Sequence, residues 1–145
     1  MNSDMNEEKT IILASWVDRL IAYIIDSLVL SAIFLILRHS WILAVFSTQL
    51  LSWLYWTVLE GMYGQSLGKK LLSIYVTNLE GKEIDLIKAG IESFGKIFPI
   101  VLVDVLIGLI FFDDKRQRLF NKLSDTIVIS KVEGSVPVKV KYVKK

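Results

Sequence analysis

The chain contains no cysteine, which excludes disulfides, thiolate catalysis and cysteine-ligated zinc. Its single histidine, His39, cannot build a metal site alone. No serine has a plausible activating base, so no constellation for nucleophilic catalysis is present and no enzymatic activity or cofactor is expected. The first residues are acidic and polar where a secretory signal would be basic, and no small-residue cleavage site follows the first apolar run. That run is therefore expected to be retained.

Charge is also scarce, but only in places. The 145 residues carry a net charge of +2, and 53% of them are hydrophobic, more than a soluble domain usually holds. The mean hydropathy of +0.51 agrees. Charged residues are nearly missing from three blocks and dense between them, which is the pattern of a membrane protein and not of a nucleic-acid binder.

The exceptions inside those blocks carry the information. Arg19 and Asp26 interrupt the apolar run from Trp16 to Leu37, and an ionisable group in hydrocarbon is costly enough to imply a partner or a task. Seven residues apart, they share one helical face, separated by roughly 10 Å along the axis. A second run extends from Trp41 to Glu60, and both runs reach the ~20 residues a crossing requires. Only Arg38, His39 and Ser40 separate them, so a tight antiparallel hairpin is expected. Its register sets Arg19 opposite Glu60, predicting an ion pair near one membrane surface. Asp26 falls opposite Ser52 and Trp53, about 13 to 15 Å beyond Trp16 and close to mid-membrane, where hydrocarbon disfavours its charge unless a cation or water reaches it.

Residues 61–70 form a glycine-rich exit. The alternation over Leu72–Asn78 predicts a strand, and Thr126–Val132 predicts a second. Residues 85–98 are amphipathic, with Ile87, Ile91, Phe94 and Phe98 opposed to Lys88, Glu92 and Lys96; this reads as an interfacial helix. The stretch from Pro99 to Phe112 is apolar except for Asp104, which has no evident partner in its own helix, and it is too short to cross unaided. Nine positive charges follow Phe112, and Lys69, Lys70, Lys82 and Lys88 follow the second span. Basic loops favour the cytoplasm, so both ends and the 61–90 segment are expected there, with residues 85–112 re-entering at Pro99. Three plain spans with the C-terminus outside are the alternative. The exit Gly64–Lys70 is not a phosphate loop, since three residues rather than four separate Gly64 from Gly68 and Lys70 stands where Ser or Thr is needed. Its lysines are expected as topological anchors and anionic-lipid contacts.

Three stretches together resemble the RDD family of small prokaryotic membrane proteins, named for an arginine and two aspartates. In residues 14–26, Arg19 and Asp26 occupy the arginine and the first aspartate. Residues 64–76 are similar to the family's glycine-lysine exit and following strand, with Gly64, Gly68 and Lys69. Residues 116–128 match the third stretch through Thr126, but Asn121 stands where the second aspartate usually falls, and Asp125 lies four residues on. The resemblance implies an all-α membrane protein of the plasma membrane: a transmembrane hairpin (about 16–38 and 41–60), a Pro-broken re-entrant or third segment (91–112), and a small cytoplasmic β-strand pair. A polar tail (1–13) precedes this 14–132 domain and a basic tail (133–145) follows it. For some members a role in monovalent cation or proton exchange is proposed, for which Asp26 and Asp104 would be the titrating carboxylates. So few helices make a small pathway, so a homo-oligomer or a larger membrane partner is expected. A scaffold or assembly role is the other reading.

Overall fold

The computed structural model describes residues 9–133 and 140–144. The remaining parts of the expected tails, 1–8, 134–139 and 145, lie outside the described residues. The order of elements is β1 (Lys9–Leu13), α1 (Trp16–Leu37), α2 (Trp41–Tyr63), α3 (Leu67–Leu71), β2 (Tyr75–Asn78), α4 (Leu86–Phe94), α5 (Ile100–Phe111), α6 (Leu119–Leu123), β3 (Thr126–Glu133) and β4 (Val140–Lys144).

Helices α1 and α2 form the expected hairpin, and both are long and apolar enough to cross a membrane. Ser15 caps α1 by accepting the Asp18 N–H at 3.0 Å, so the helix starts where the polar lead-in ends. Tyr23 stacks on Trp56 with ring centroids 5.6 Å apart, which confirms the hairpin register. Gly64 ends α2 in the left-handed region at φ 69°, its N–H returning to the Glu60 carbonyl.

The two expected strands pair antiparallel, from Tyr75 opposite Ile129 to Asn78 opposite Thr126. They are half of the sheet rather than all of it. Four strands assemble in the order β2-β3-β1-β4, so the description as all-α with a strand pair is corrected to mostly helical with a four-stranded sheet. Lys9–Leu13, expected in a polar tail, pairs antiparallel with β3 and parallel with β4, which itself lies in the expected basic tail. The reason is burial. Ile11 and Leu13 are fully inaccessible and pack with Ile127, Ile129 and Val140, a cluster worth more than leaving them as a solvated lead-in.

This sheet constrains the path of everything between its strands. Asn78 and Thr126 are direct partners, so residues 79–125 leave and return to the same sheet edge. Helix breaks at 95–99 divide that excursion into α4 and α5, of nine and 12 residues. The turn reaches the middle of α2, where Gln49 Nε2 donates to the Phe98 carbonyl at 3.2 Å.

Helix α4 corrects the interfacial reading. Its charged face points inward: Glu92 is fully buried and Lys96 just beyond the helix is 5% exposed, while Ile87 is 75% exposed. The helical part of the molecule shares this inverted partition, while the sheet buries its apolar residues in the ordinary way. Leu28, Ile36, Trp41, Phe46 and Phe111 are exposed, whereas Glu60, Glu92 and Asp104 are not. A water-soluble chain sorts these residue types the other way.

Candidate functional site

Asp26 projects from α1 toward α2 and the short α3. Its Oδ1 accepts the Tyr55 hydroxyl at 2.8 Å and the Gly68 backbone N–H at 2.8 Å. Its Oδ2 accepts Trp56 Nε1 at 3.0 Å and the Ser66 hydroxyl at 2.5 Å. All four donors are neutral, and two of them come from the glycine exit. Ser66 also caps α3, accepting the Lys69 N–H at 3.4 Å. Position 68 must be glycine, because a Cβ there would strike the backbone of Ala22 on α1. The exit motif is thus a clamp that carries hydrogen-bond donors to Asp26.

Beside this clamp lies a chain of buried ion pairs. Glu60 Oε1 meets Lys69 Nζ at 2.6 Å and its Oε2 meets Lys96 Nζ at 2.6 Å. Lys96 also contacts Glu92 at 2.8 Å, and Glu92 Oε1 contacts Arg118 Nη2 at 2.6 Å. Arg118 Nη1 reaches Asp104 Oδ2 at 2.8 Å as an ion contact without an aligned hydrogen bond. The other oxygen of Asp104 accepts the Phe120 N–H at 2.8 Å.

The expected pair between Arg19 and Glu60 does not form. Lys69 and Lys96 arrive on α3 and the turn after α4 and fill both Glu60 oxygens. Arg19 instead donates to Asn121 Oδ1 at 2.6 Å and to the Arg116 carbonyl, and its guanidinium lies 4.7 Å from the Trp16 ring centroid. Asn121 passes the connection on, donating to Thr126 Oγ1 at 3.0 Å and Glu92 Oε1 at 3.4 Å. An ionised aspartate at 121 could not make that donation to Glu92. Asp125 does not compensate; it sits exposed on a turn at φ 51° and stays outside the cluster. Asp26 and Asp104 likewise have separate donor sets.

Arg19, Lys69, Lys96 and Arg118 face Asp26, Glu60, Glu92 and Asp104, every one of them buried. Four cations against four carboxylates leave the set formally neutral, which removes the main electrostatic objection to burying it. Burial lowers the Lys69 ammonium to about 8, against the opposing attraction of Glu60. For Arg118 burial is outweighed by Glu92 and Asp104, which hold it above its ordinary value.

Of the residues singled out in the sequence, Arg19, Asp26, Glu60, Gly68, Lys69, Asp104, Asn121 and Thr126 converge here. Glu92, Lys96 and Arg118 were missed as members. The available signal was the four-residue spacing of Glu92 and Lys96, which puts them on one helical face as a pair.

A cavity of about 480 Å³ opens between α1 and α5 onto this cluster. Its walls are apolar and its floor is charged.

No curated protein and no solved structure matches the chain. The family comparison does: the model of the RDD family matches residues 13–125, spanning the Asp26 clamp and all eight charged residues of the cluster, and the chain belongs to the RDD family.

Proposed function

We propose that this RDD protein is a multi-pass protein of the plasma membrane that acts as a non-transporting, non-enzymatic scaffold or assembly partner. One observation carries the reading: each buried carboxylate is occupied by donors from its own chain. A transported cation would have to displace a lysine, an arginine or a full set of neutral donors at every step. The cluster acts as a lock that joins α1, α2, α4, α5 and α6. What remains to face a partner, a second copy or a larger membrane protein, is the four-stranded sheet with its basic outer strand β4 and the lysines around it. Charge orients that sheet to the cytoplasm.

The test uses vesicles containing folded protein. Proton, sodium and potassium fluxes should match empty vesicles, Asp26→Asn should lower thermal stability, and gentle solubilisation should recover a stoichiometric partner or oligomer. A flux above background that Asp26→Asn abolishes without loss of folded protein would return the function to ion or proton exchange.

A further inference from the structure

The cavity between α1 and α5 has a chemistry that the lock does not require. Leu20 on one side and Leu102, Leu106 and Leu109 on the other form walls that continue onto the exposed apolar surface. At the floor stand Arg19, Lys69, Lys96 and Arg118 with only Asp26 and Glu92, because Glu60 and Asp104 lie behind. Lys69, Lys96 and Arg118 are each held 2.6 Å from a carboxylate, and Asp26 has its four neutral donors, which leaves Arg19 as the cation on this face without an ionic partner among the described residues. Arg19 is buried but lines the cavity. Among the described residues it is paired with neutral oxygens, Asn121 Oδ1 and the Arg116 carbonyl, and with no carboxylate.

An occupant must match an apolar wall and a cationic floor at once. We propose that this cleft holds a single anionic phospholipid, with its phosphodiester at Arg19 and one acyl chain lying along α5. A guanidinium presents several donors in one plane and suits a phosphate better than a lysine would. Trp16, which lines the mouth beside Arg19, is the residue type that sits at headgroup level. The volume falls within the ~300–1,000 Å³ of ordinary small-molecule sites. The exposed faces of α2 and α5 in a second copy are apolar and would bring no anion to the floor. Free phosphate would leave the walls uncovered. The proposal rests on the membrane reading above and is independent of whether the protein scaffolds a partner.

The experiment is native mass spectrometry of the full chain released from nanodiscs made of chain-matched phosphatidylglycerol and phosphatidylcholine. The expected result is one retained phosphatidylglycerol per chain, preferred about tenfold over phosphatidylcholine, because both carry the phosphodiester but only phosphatidylcholine brings a choline cation close to Arg19. Leu106→Trp fills the wall without touching the floor and should abolish retention while leaving the melting temperature unchanged. Arg19→Gln, which removes the cation, should erase the preference between headgroups. Equal retention of both lipids, retention unaffected by Leu106→Trp, displacement by inorganic phosphate alone, or a dimer that Leu106→Trp dissolves would each overturn the site. Recovery of the chain in the soluble fraction without detergent would instead overturn the membrane reading.

Discussion

Lys96 stands between Glu60 and Glu92, with its ammonium 2.6 Å from one and 2.8 Å from the other. One side chain thus closes the gap between α2 and the turn after α4, over a sequence distance of 36 residues. Removing it would leave two buried carboxylates with one fewer cation.

Lys96→Met should therefore cost about 3–5 kcal/mol, the range for breaking a buried ion pair from one side. Lys131 makes a similar contact to Glu133 at 2.7 Å, but both are exposed, and Lys131→Ala should cost less than about 1 kcal/mol. Thermal unfolding of the purified protein in detergent compares the two. Equal losses would mean that the buried cluster is not a lock.

Gly68→Ala tests the clamp on Asp26. The added Cβ would lie 2.8 Å from the Ala22 carbonyl carbon and 3.0 Å from its Cα, both backbone atoms that cannot rotate away. Either α3 lifts off α1 and Asp26 loses its Ser66 and Gly68 donors, or α1 bends. Both routes predict a loss of about 2–4 kcal/mol, in the range of other strained or overpacked core sites. Gly64→Ala is the comparison, since its Cβ would meet only the Val76 carbonyl at 3.5 Å and its cost is confined to the left-handed backbone, about 1 kcal/mol. If the two variants melt together, the close approach of α3 to α1 is not what holds the clamp.

The parts of this arrangement that could be read from sequence were those where a residue type clashed with its surroundings. Arg19, Asp26, Glu60 and Asp104 stood out because each interrupts or ends an apolar run. Glu92 and Lys96 belong to the same cluster but fit the polar face of an amphipathic helix, and Arg118 follows a charged run, so none of the three charges called for an explanation. For α4 the periodicity was visible and its sense was not. Alternating faces identify a helix with two sides, yet only the surrounding medium decides which side turns outward, and here the charged side turns in. The partner of Glu60 was misread for a related reason: hairpin register relates α1 to α2, while Lys69 and Lys96 come from elements the register does not include. The strand Lys9–Leu13 lacks strict alternation and merges with the apolar start of α1, and the lysines of β4 made an edge strand look like a solvated tail.

A pH dependence follows from Asp113, near the surface at the end of α5. Its Oδ1 accepts Trp16 Nε1 at 2.7 Å and its Oδ2 meets Lys144 Nζ at 2.8 Å, tying the start of α1 to the end of β4. The Lys144 and Trp16 hydrogen bonds hold its carboxyl below the ordinary value of 3.8. A group lowered on folding stabilises fully above its unfolded value and loses that contribution as pH falls through its folded value. The clasp should therefore be intact at neutral pH and open only below about pH 4, seen as a change in tryptophan fluorescence as Trp16 loses its carboxylate partner. Asp113→Asn should remove that acid transition. A midpoint near pH 6 would assign the change to some other group.

The absence of cysteine makes the path through the membrane directly measurable. Single cysteines at exposed positions can be labelled with a maleimide that does not cross the bilayer, with no background from the native chain. Glu80 lies in the turn after β2 and Lys131 in β3, strands that share one sheet, whereas His39 lies in the connection between α1 and α2. Because residues 79–125 return to the sheet edge they left, Glu80→Cys and Lys131→Cys should react from the same side and His39→Cys from the opposite one. With the basic segments cytoplasmic, intact cells should label His39→Cys alone. Phe98→Cys, at the tip of the α4–α5 excursion and level with Gln49 in the middle of α2, should resist the reagent from both sides. Labelling of Lys131→Cys but not of Glu80→Cys in intact cells would place three crossings in the chain, and the sheet pairing of Asn78 with Thr126 could not then exist across the bilayer.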